Sequence, residues 1–306
     1  MIVTFILRRI LWAIPVLWVV ATLTFFIMHV VSGGPFDREK KLPPEIKANV
    51  EAKYHLDQPI HRQYLLYMKA LIGGDLGPSY KYLGRTVNDV IGDTLPVSMQ
   101  LGFLALLIAL VLGLIAGMIS SVTAHTLWDR FSMFLATAGI SAPNFVLGAL
   151  LIYFFSHRYK LFPPALWEDF RNAILPAMTL GLAPAAYIAR LSRSSILETN
   201  RQDYVRTARA KGLSETVILF RHILRNAVSP VVTILGPLTA ALVTGSFVVE
   251  FIFSIPGMGK FFITAVTNRD YPLIMGVTLI YAVIIVAANL VVDILYTFID
   301  PRVKLS

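Results

Sequence analysis

No cysteine occurs anywhere in this chain of 306 residues. That excludes disulfides, thiolate metal sites and cysteine nucleophiles, and leaves the redox compartment open. Charge is scarce as well. Asp, Glu, Lys and Arg make up 15% of the residues, against about 25% in an ordinary soluble domain. Apolar residues supply 56%, so most of the chain is suited to lipid rather than water. The little charge present leans positive, at +9. In a soluble protein that excess would suggest nucleic acid. In a membrane chain, the bias of cytoplasmic loops toward Lys and Arg and the attraction of anionic headgroups account for it, so membrane lipid is the expected partner and nucleic acid is not.

Six apolar segments are long enough to cross a bilayer, at about 10–31, 98–123, 131–155, 173–191, 227–249 and 272–297. The first alone gives roughly 33 Å of helix at 1.5 Å per residue. No small-residue cleavage site follows it, which points to an uncleaved span. Pro15, Pro143, Pro176, Pro184, Pro230 and Pro237 fall in or beside these segments, as membrane helices permit when neighbours satisfy the freed backbone groups. Gly113 and Gly117 form a small-xxx-small pair suited to close helix approach. Between the first two spans, turn signals such as Gly33-Gly34-Pro35 and Gly73-Gly74 punctuate a polar stretch with helices expected at about 45–53 and 63–71. The expected organisation is 1–31 (N-terminus and first span), 32–97 (extracytoplasmic cap) and 98–306 (a core of five spans) with a cytoplasmic loop at 192–226.

The cap holds nine Lys/Arg against eight Asp/Glu, whereas residues 190–225 hold eight basic residues against three acidic ones. The dense basic loop therefore faces the cytoplasm, together with Arg8-Arg9 and the Asp300-Pro-Arg-Val-Lys304 tail. An even number of spans puts both termini on that side.

The middle of every span lacks Asp, Glu, Lys and Arg. Ion-coupled carriers and proton pumps need such groups at depth, so coupling of that kind is disfavoured. His29, Glu250 and Asp293 lie near span ends, where interfacial placement or a hydrogen bond between helices is the simpler reading. Pro256-Gly-Met-Gly-Lys260 fails as a phosphate loop, because residue 254 is Ser and Phe261 follows the lysine. Ser141 has no histidine on a later span to serve as its base, and no H-E-x-x-H occurs. No catalytic residue, metal ligand set or cofactor site emerges.

The longest basic loop is also the most structured. Its good helix formers run to Gly212, a natural residue just past a helix C-terminus. Ser214 is placed to cap a second helix from Glu215 to about Arg225, with Glu215 in the favoured first turn. Three readings compete for this helix-turn-helix: a basic face lying on anionic lipid, a DNA reader, and a rigid knob for a partner subunit. Tethering to the membrane at both ends argues against entry into a major groove. Ala208, Ala210, Leu213, Val217 and Ile218 among the charges suit the knob.

The stretch Arg206-Thr-Ala-Arg-Ala-Lys-Gly-Leu213, followed by Arg221-His-Ile-Leu-Arg-Asn-Ala227 and Pro230, resembles the cytoplasmic "EAA" loop of ATP-binding-cassette importer permeases in its peptide-permease form. The general E-A-A-x-x-x-G signature reads Arg206-Thr-Ala208 and Gly212 here. The likeness covers the whole chain, through Tyr54-His-Leu-Asp-Gln-Pro59, Gly74-Asp-Leu-Gly77, Ser141-Ala-Pro-Asn-Phe145, Glu250-Phe-Ile-Phe253, Ser254-Ile-Pro-Gly-Met-Gly259 and Asn268-Arg-Asp-Tyr-Pro272. It is greatest to the B-type transmembrane subunits of oligopeptide permeases, including Leu42-Pro-Pro-Glu45, with dipeptide permeases next. The resemblance implies the all-α type I importer fold, with six transmembrane helices and a small external cap, in the bacterial inner membrane. It implies a second related permease subunit, two cytoplasmic ATPases that hold the ATP and magnesium, and an external peptide-binding protein. It also implies docking of an ATPase on Arg206, Thr207, Ala208, Arg209, Ala210, Lys211, Gly212, Leu213, Ser214, Glu215, Val217 and Phe220. Polar residues on spans that are candidates for a passage are Asn144, Thr233, Thr239, Thr244 and Ser246. Dipeptides, nickel chelates, glutathione and short sugars stay open as substrates. A passive channel or a scaffold that transports nothing are the other classes.

Overall fold

Helices account for nearly all of the computed structural model, which describes residues 2–30 and 54–299, and no β-strand occurs among them. The expected helix at 45–53, the Leu42-Pro-Pro-Glu45 motif and the 300–304 tail lie outside the described residues. Helix α1 (Ile2–Val30) crosses from the end of the bundle that carries the basic loop to the opposite, cap end. There it meets α2 (Ile60–Ile72), the expected cap helix. Thr22 Oγ1 and Tyr64 Oη lie 2.8 Å apart, and His29 Nε2 lies 3.1 Å from Gln63 Oε1, so α2 is tied to α1 by polar contacts.

Helix α3 (Val87–Val122) begins well before position 98, through Pro96. A reciprocal box at Thr86 and Asp89 sets that start: Asp89 N donates to Thr86 Oγ1 at 3.1 Å, and Thr86 N donates to Asp89 Oδ2 at 2.9 Å. Helix α6 (Phe170–Thr199) starts on the same device, with Asp169 at the cap and Asn172 at the third position. It carries Pro176 and Pro184 without breaking and runs past the apolar segment into the basic loop. In lipid, burial of apolar side chains gives helices little reason to associate, whereas close backbone approach does. A Cβ at Gly113 would stand 2.7 Å from Ala185 O, and one at Gly117 would stand 2.7 Å from Ala189 O. The small-xxx-small pair on α3 is therefore the surface on which α6 lies.

The third expected span departs from a single helix. Segment 131–155 divides into α4 (Leu127–Ser141) and α5 (Asn144–Leu151), the latter continuing as a π-helical stretch Ile152–Arg158. The two halves are bent by 111°. Pro143 causes the break. It lacks a donor and drives Ala142 out of the helical region, to φ −78° and ψ 126°. Among the described residues five helices are thus long and apolar enough to cross a membrane, or six with the bent pair counted as one span. The fifth expected span is α10 (Ser229–Val243), with Pro237 inside it, followed by α11 (Phe247–Ile252). Short α12 (Met258–Asn268) leads into α13 (Tyr271–Ile299), which returns alongside α1. Arg9 and Asp293 pair at 2.8 Å between these two helices.

Candidate functional site

The basic loop folds as a compact two-helix unit. Helix α7 (Asp203–Ala210) ends at Lys211, and Gly212 follows with φ +77°. Positive φ is costly for residues with a Cβ and free for glycine, so the turn is written into that one position. Gly212 N donates to Arg209 O at 2.9 Å and Leu213 N donates to Ala208 O at 3.3 Å. The chain then re-enters a helix through α8 (Glu215–Val217), a π-helical stretch Ile218–Ile223 and α9 (Leu224–Ala227). Ser214 stands at the cap position, yet its side chain makes no capping bond. The turn is braced instead by charge. Arg209 Nε donates to Glu215 Oε1 at 2.8 Å, and its Nη2 donates to Glu215 Oε2 at 3.1 Å and Asn200 Oδ1 at 2.6 Å. The hydrogen-bonded Arg209 guanidinium holds the Glu215 carboxyl below its ordinary value.

The unit has two faces. Val205 (0% exposed), Ala208 (5%) and Ile218 (0%) are buried against Ile196, Ile223 and Ala227 of the same chain. Ala208 and Ile218 therefore bolt the unit to the bundle, and are not free to meet a partner. On the other face Leu213 (40%) and Val217 (40%) are apolar and exposed, among exposed Arg206, Thr207, Arg209, Ala210, Lys211, Gly212, Ser214 and Glu215, while Phe220 (59%), also exposed, lines an apolar recess with Ile115 and Met118 of α3.

Behind the unit, Arg193 on α6 makes a two-pronged pair with Asp129 on α4. Its Nε and Nη2 each donate at 2.7 Å to a separate carboxylate oxygen. Ser120 Oγ at the end of α3 donates to the same carboxylate, as does His125 N at 2.9 Å. Four chain segments are thus joined at one buried Asp. This arrangement was hidden in the sequence, where Arg193 reads as one more positive loop residue.

At the cap end two buried carboxylates fix loops. Ser98 Oγ on α3 donates to Glu250 Oε1 at 2.8 Å and accepts from Met258 N at 2.8 Å, while Lys260 N donates to Glu250 Oε2 at 3.1 Å. Gly245, Gly257 and Gly259 surround this carboxylate, and a Cβ at Gly257 would stand 2.5 Å from Glu250 Oε2. The Pro256-Gly-Met-Gly-Lys260 stretch is a turn gripping a protein carboxylate. Asp270, also buried, accepts from Ser79 Oγ and, at 3.1 Å, from Tyr80 N, which holds the loop after α2 against the start of α13. Glu250 and Asp293 thus serve contacts between elements, as their places near span ends suggested.

The candidate passage residues lie on α5, on α10 and at the α10–α11 break. Thr233 and Thr244 donate to carbonyls of their own helix, Ser229 O at 3.1 Å and Ala240 O at 2.9 Å. Ser246 Oγ caps α11 by accepting from Val249 N at 3.3 Å. Thr239 is half-buried on α10, and Asn144 is half-buried at the first turn of α5 after the Pro143 break.

Residues 2–102 match the N-terminal membrane component of binding-protein-dependent transport systems, and residues 109–305 match the binding-protein-dependent transport system inner membrane component. The chain belongs to this permease family. It is 46% identical to the dipeptide transport system permease protein DppB of Bacillus subtilis, over 96% of each chain. It is 42% identical to the oligopeptide transport system permease protein OppB of Salmonella typhimurium and of Escherichia coli K12, over 98% of this chain and 99% of each relative. Among solved structures, an inward-facing form of the MetNI methionine ABC transporter matches 69% of this chain and 96% of its own, with TM-score 0.55 and 17% identity. The fold is accordingly the all-helical one of type I importer permeases. In this chain the two-helix unit, the Asp129 junction and the glycine-lined Glu250 turn are the features the fold builds. No cluster of three or more His, Asp or Glu that could hold a metal occurs among the described residues.

Proposed function

We propose that this chain is one of two transmembrane subunits enclosing the passage of an ATP-driven peptide importer in a bacterial cytoplasmic membrane, with both termini in the cytoplasm. The observation that carries the reading is the two-faced helical unit at 203–227. One face is locked into the bundle through Val205, Ala208 and Ile218, and the other offers Leu213 and Val217 within a rim of charge, with Phe220 exposed at its bundle edge. Such a unit transmits a push. It suits a cytoplasmic ATPase that carries the ATP and magnesium and moves the helices mechanically, and it needs no ionisable group in the spans. A second related permease subunit, a second ATPase and an external peptide-binding protein complete the assembly, the binding protein meeting the 32–97 cap and the loop before α13. Oligopeptides are the proposed substrate. Dipeptides are the second reading, favoured by the 46% identity to a dipeptide permease.

Docking falls to Arg206, Thr207, Arg209, Ala210, Lys211, Leu213, Ser214, Glu215, Val217 and Phe220, with Gly212 and Ala208 shaping the unit from within. Passage-lining roles are assigned to Asn144, Thr239 and exposed Thr233, with Thr244 and Ser246 at the α10–α11 break. The test is uptake of a radiolabelled tripeptide by cells lacking this chain, with and without its return. Uptake lost on deletion, restored by the chain and abolished when the partner ATPase loses its Walker lysine supports the reading. Unchanged uptake on deletion refutes it.

A further inference from the structure

The polar junction at Asp129 links the end of α6 that carries the docking unit to a half-span packed largely through small residues. On the α6 side the attachment is firm. Arg209 Nη2 donates to Asn200 Oδ1 at 2.6 Å, and Asn200 is the residue that ends α6. Ile196 of α6 is buried in one cluster with Val205, Ala208 and Ile218. Only residues 200–202 separate α6 from α7. Arg193 lies one turn before Ile196 on the same unbroken helix, so it moves when the docking unit moves.

On the other side of the junction stands α4, whose packing differs from that of α5. Leu127, Trp128, Phe131 and Phe134 of α4 are exposed, while Ala136 is buried. Gly139 lies beside Ala186 of α6, where an added Cβ would stand 3.7 Å from the alanine Cβ. Thr137 and Ser141 donate to carbonyls of α4 itself. Helix α5 is instead set into the core. A Cβ at Gly148 would stand 3.3 Å from both Phe253 and Thr179. Leu151 of α5, with Ile152 and Phe155 of its π-helical continuation, packs on the buried cluster around Leu175 and Phe253. Between the two halves, extended Ala142 and donor-less Pro143 interrupt the backbone ladder.

These contacts respond differently to a push. An apolar contact between helices in lipid can slide, because lipid replaces it at little cost. A buried ion pair cannot be released without leaving a charge uncompensated in a low-dielectric site. Arg193 holds Asp129 through two bonds to separate oxygens, which fixes direction as well as distance. Ser120 Oγ and His125 N hold the same carboxylate. Arg193 therefore grips the whole corner between α3 and α4 rather than one rotatable side chain.

We infer that the Arg193–Asp129 pair is the joint that carries movement of the docking unit into α4, which swings about the Pro143 break while α5 stays with the core. Arg193 and Asp129 are thus positioning residues for transport, and touch neither the ATPase nor the peptide. The inference rests on the importer reading above and adds to it which half-span moves. It also gives the 111° bend a use: the two halves of one span are free to move separately.

The test uses the full complex in proteoliposomes: this chain, its second permease, the ATPases and the binding protein. Two quantities are read. One is trialanine imported per ATP hydrolysed; the other is the distance between spin labels at Phe134→Cys on α4 and Leu150→Cys on α5. The chain has no cysteine of its own, so with cysteine-free partner subunits only these sites are labelled. The wild-type distance is expected to differ between nucleotide-free and ATP-trapped complexes. Arg193→Gln and Asp129→Asn are expected to abolish that difference and to lower the import ratio about tenfold, with hydrolysis per assembled complex within about twofold of wild type. Arg193→Lys keeps the charge without the two-pronged geometry and is expected to lower the ratio about threefold. It decides the matter should the other two variants fail to assemble. A merely structural role lowers hydrolysis and import together and leaves their ratio unchanged. An unchanged ratio, a wild-type distance that is the same in both states, or a distance change that survives Arg193→Gln overturns the joint and leaves the importer standing. Wild-type vesicles that hydrolyse ATP and import no trialanine overturn the importer reading, and the joint with it.

Discussion

Replacing Gly212 isolates the conformational requirement of the docking unit from its packing. The residue sits at φ +77°, and a Cβ placed there meets nothing within 4 Å. Steric collision within the chain is therefore absent, and the cost is the left-handed backbone alone, about 1–2 kcal/mol for a residue with a Cβ. That is a factor of roughly 5–30 in the population of the native turn. Amide exchange in nanodiscs reads it directly, because Leu213 N–H is held by Ala208 O across the turn. Gly212→Ala and Gly212→Leu should speed exchange at Leu213 by that factor and to a similar degree, since side-chain size finds no obstacle. Gly212→Asn, which tolerates this region, should lie close to wild type. Transport and ATPase co-purification should follow the same order, with membrane insertion unchanged. Full transport by the leucine variant, or exchange unaffected by any of the three, refutes the reasoning.

Removing Arg193 or Asp129 breaks a buried pair that joins α3, α4 and α6, and each alanine variant should lose about 3 kcal/mol of stability in detergent, read as a lower unfolding midpoint. Ser98→Ala strips a donor from buried Glu250 and an acceptor from Met258 N, which should cost about 1–3 kcal/mol and raise protease sensitivity at the 254–260 turn. Phe220→Ala, at an exposed position, should leave stability within about 0.5 kcal/mol while weakening ATPase capture by at least tenfold. Glu215 has its carboxyl held below the ordinary value of 4.5 by Arg209. The brace is therefore complete above pH 4.5 and is lost as pH falls through the lowered value, so protection at Leu213 should hold at pH 5 and fall only in stronger acid.

The sequence carried this fold unevenly, and the reasons are physical. Hydrophobic length located the spans because lipid thickness sets a minimum run of apolar residues. Gly212 was legible because few residues tolerate positive φ, and the Gly113/Gly117 pair because small residues four apart share one helix face. The break at Pro143 was not foreseen: Pro176, Pro184 and Pro237 sit inside intact helices, so proline alone does not say which helix will bend. The helices also overran their apolar segments, since Thr86 and Asp169 caps set their starts and hydropathy is blind to caps. Long-range polar junctions were invisible. Asp129 meets Arg193 across 64 positions of sequence, and Asp270 reaches Tyr80 across 190. Ala208 and Ile218 were read as partner-facing because a short helix shows its apolar residues without showing which face the bundle takes.

The most direct test of the central claim is purification of the tagged full chain from its native membrane under gentle conditions, with mass spectrometry of whatever accompanies it. The account predicts two ATPase subunits and a second permease of the same family, with the ATPases lost selectively on replacement of Phe220 by alanine. Recovery of this chain alone, under conditions that keep a known transporter complex intact, would contradict it.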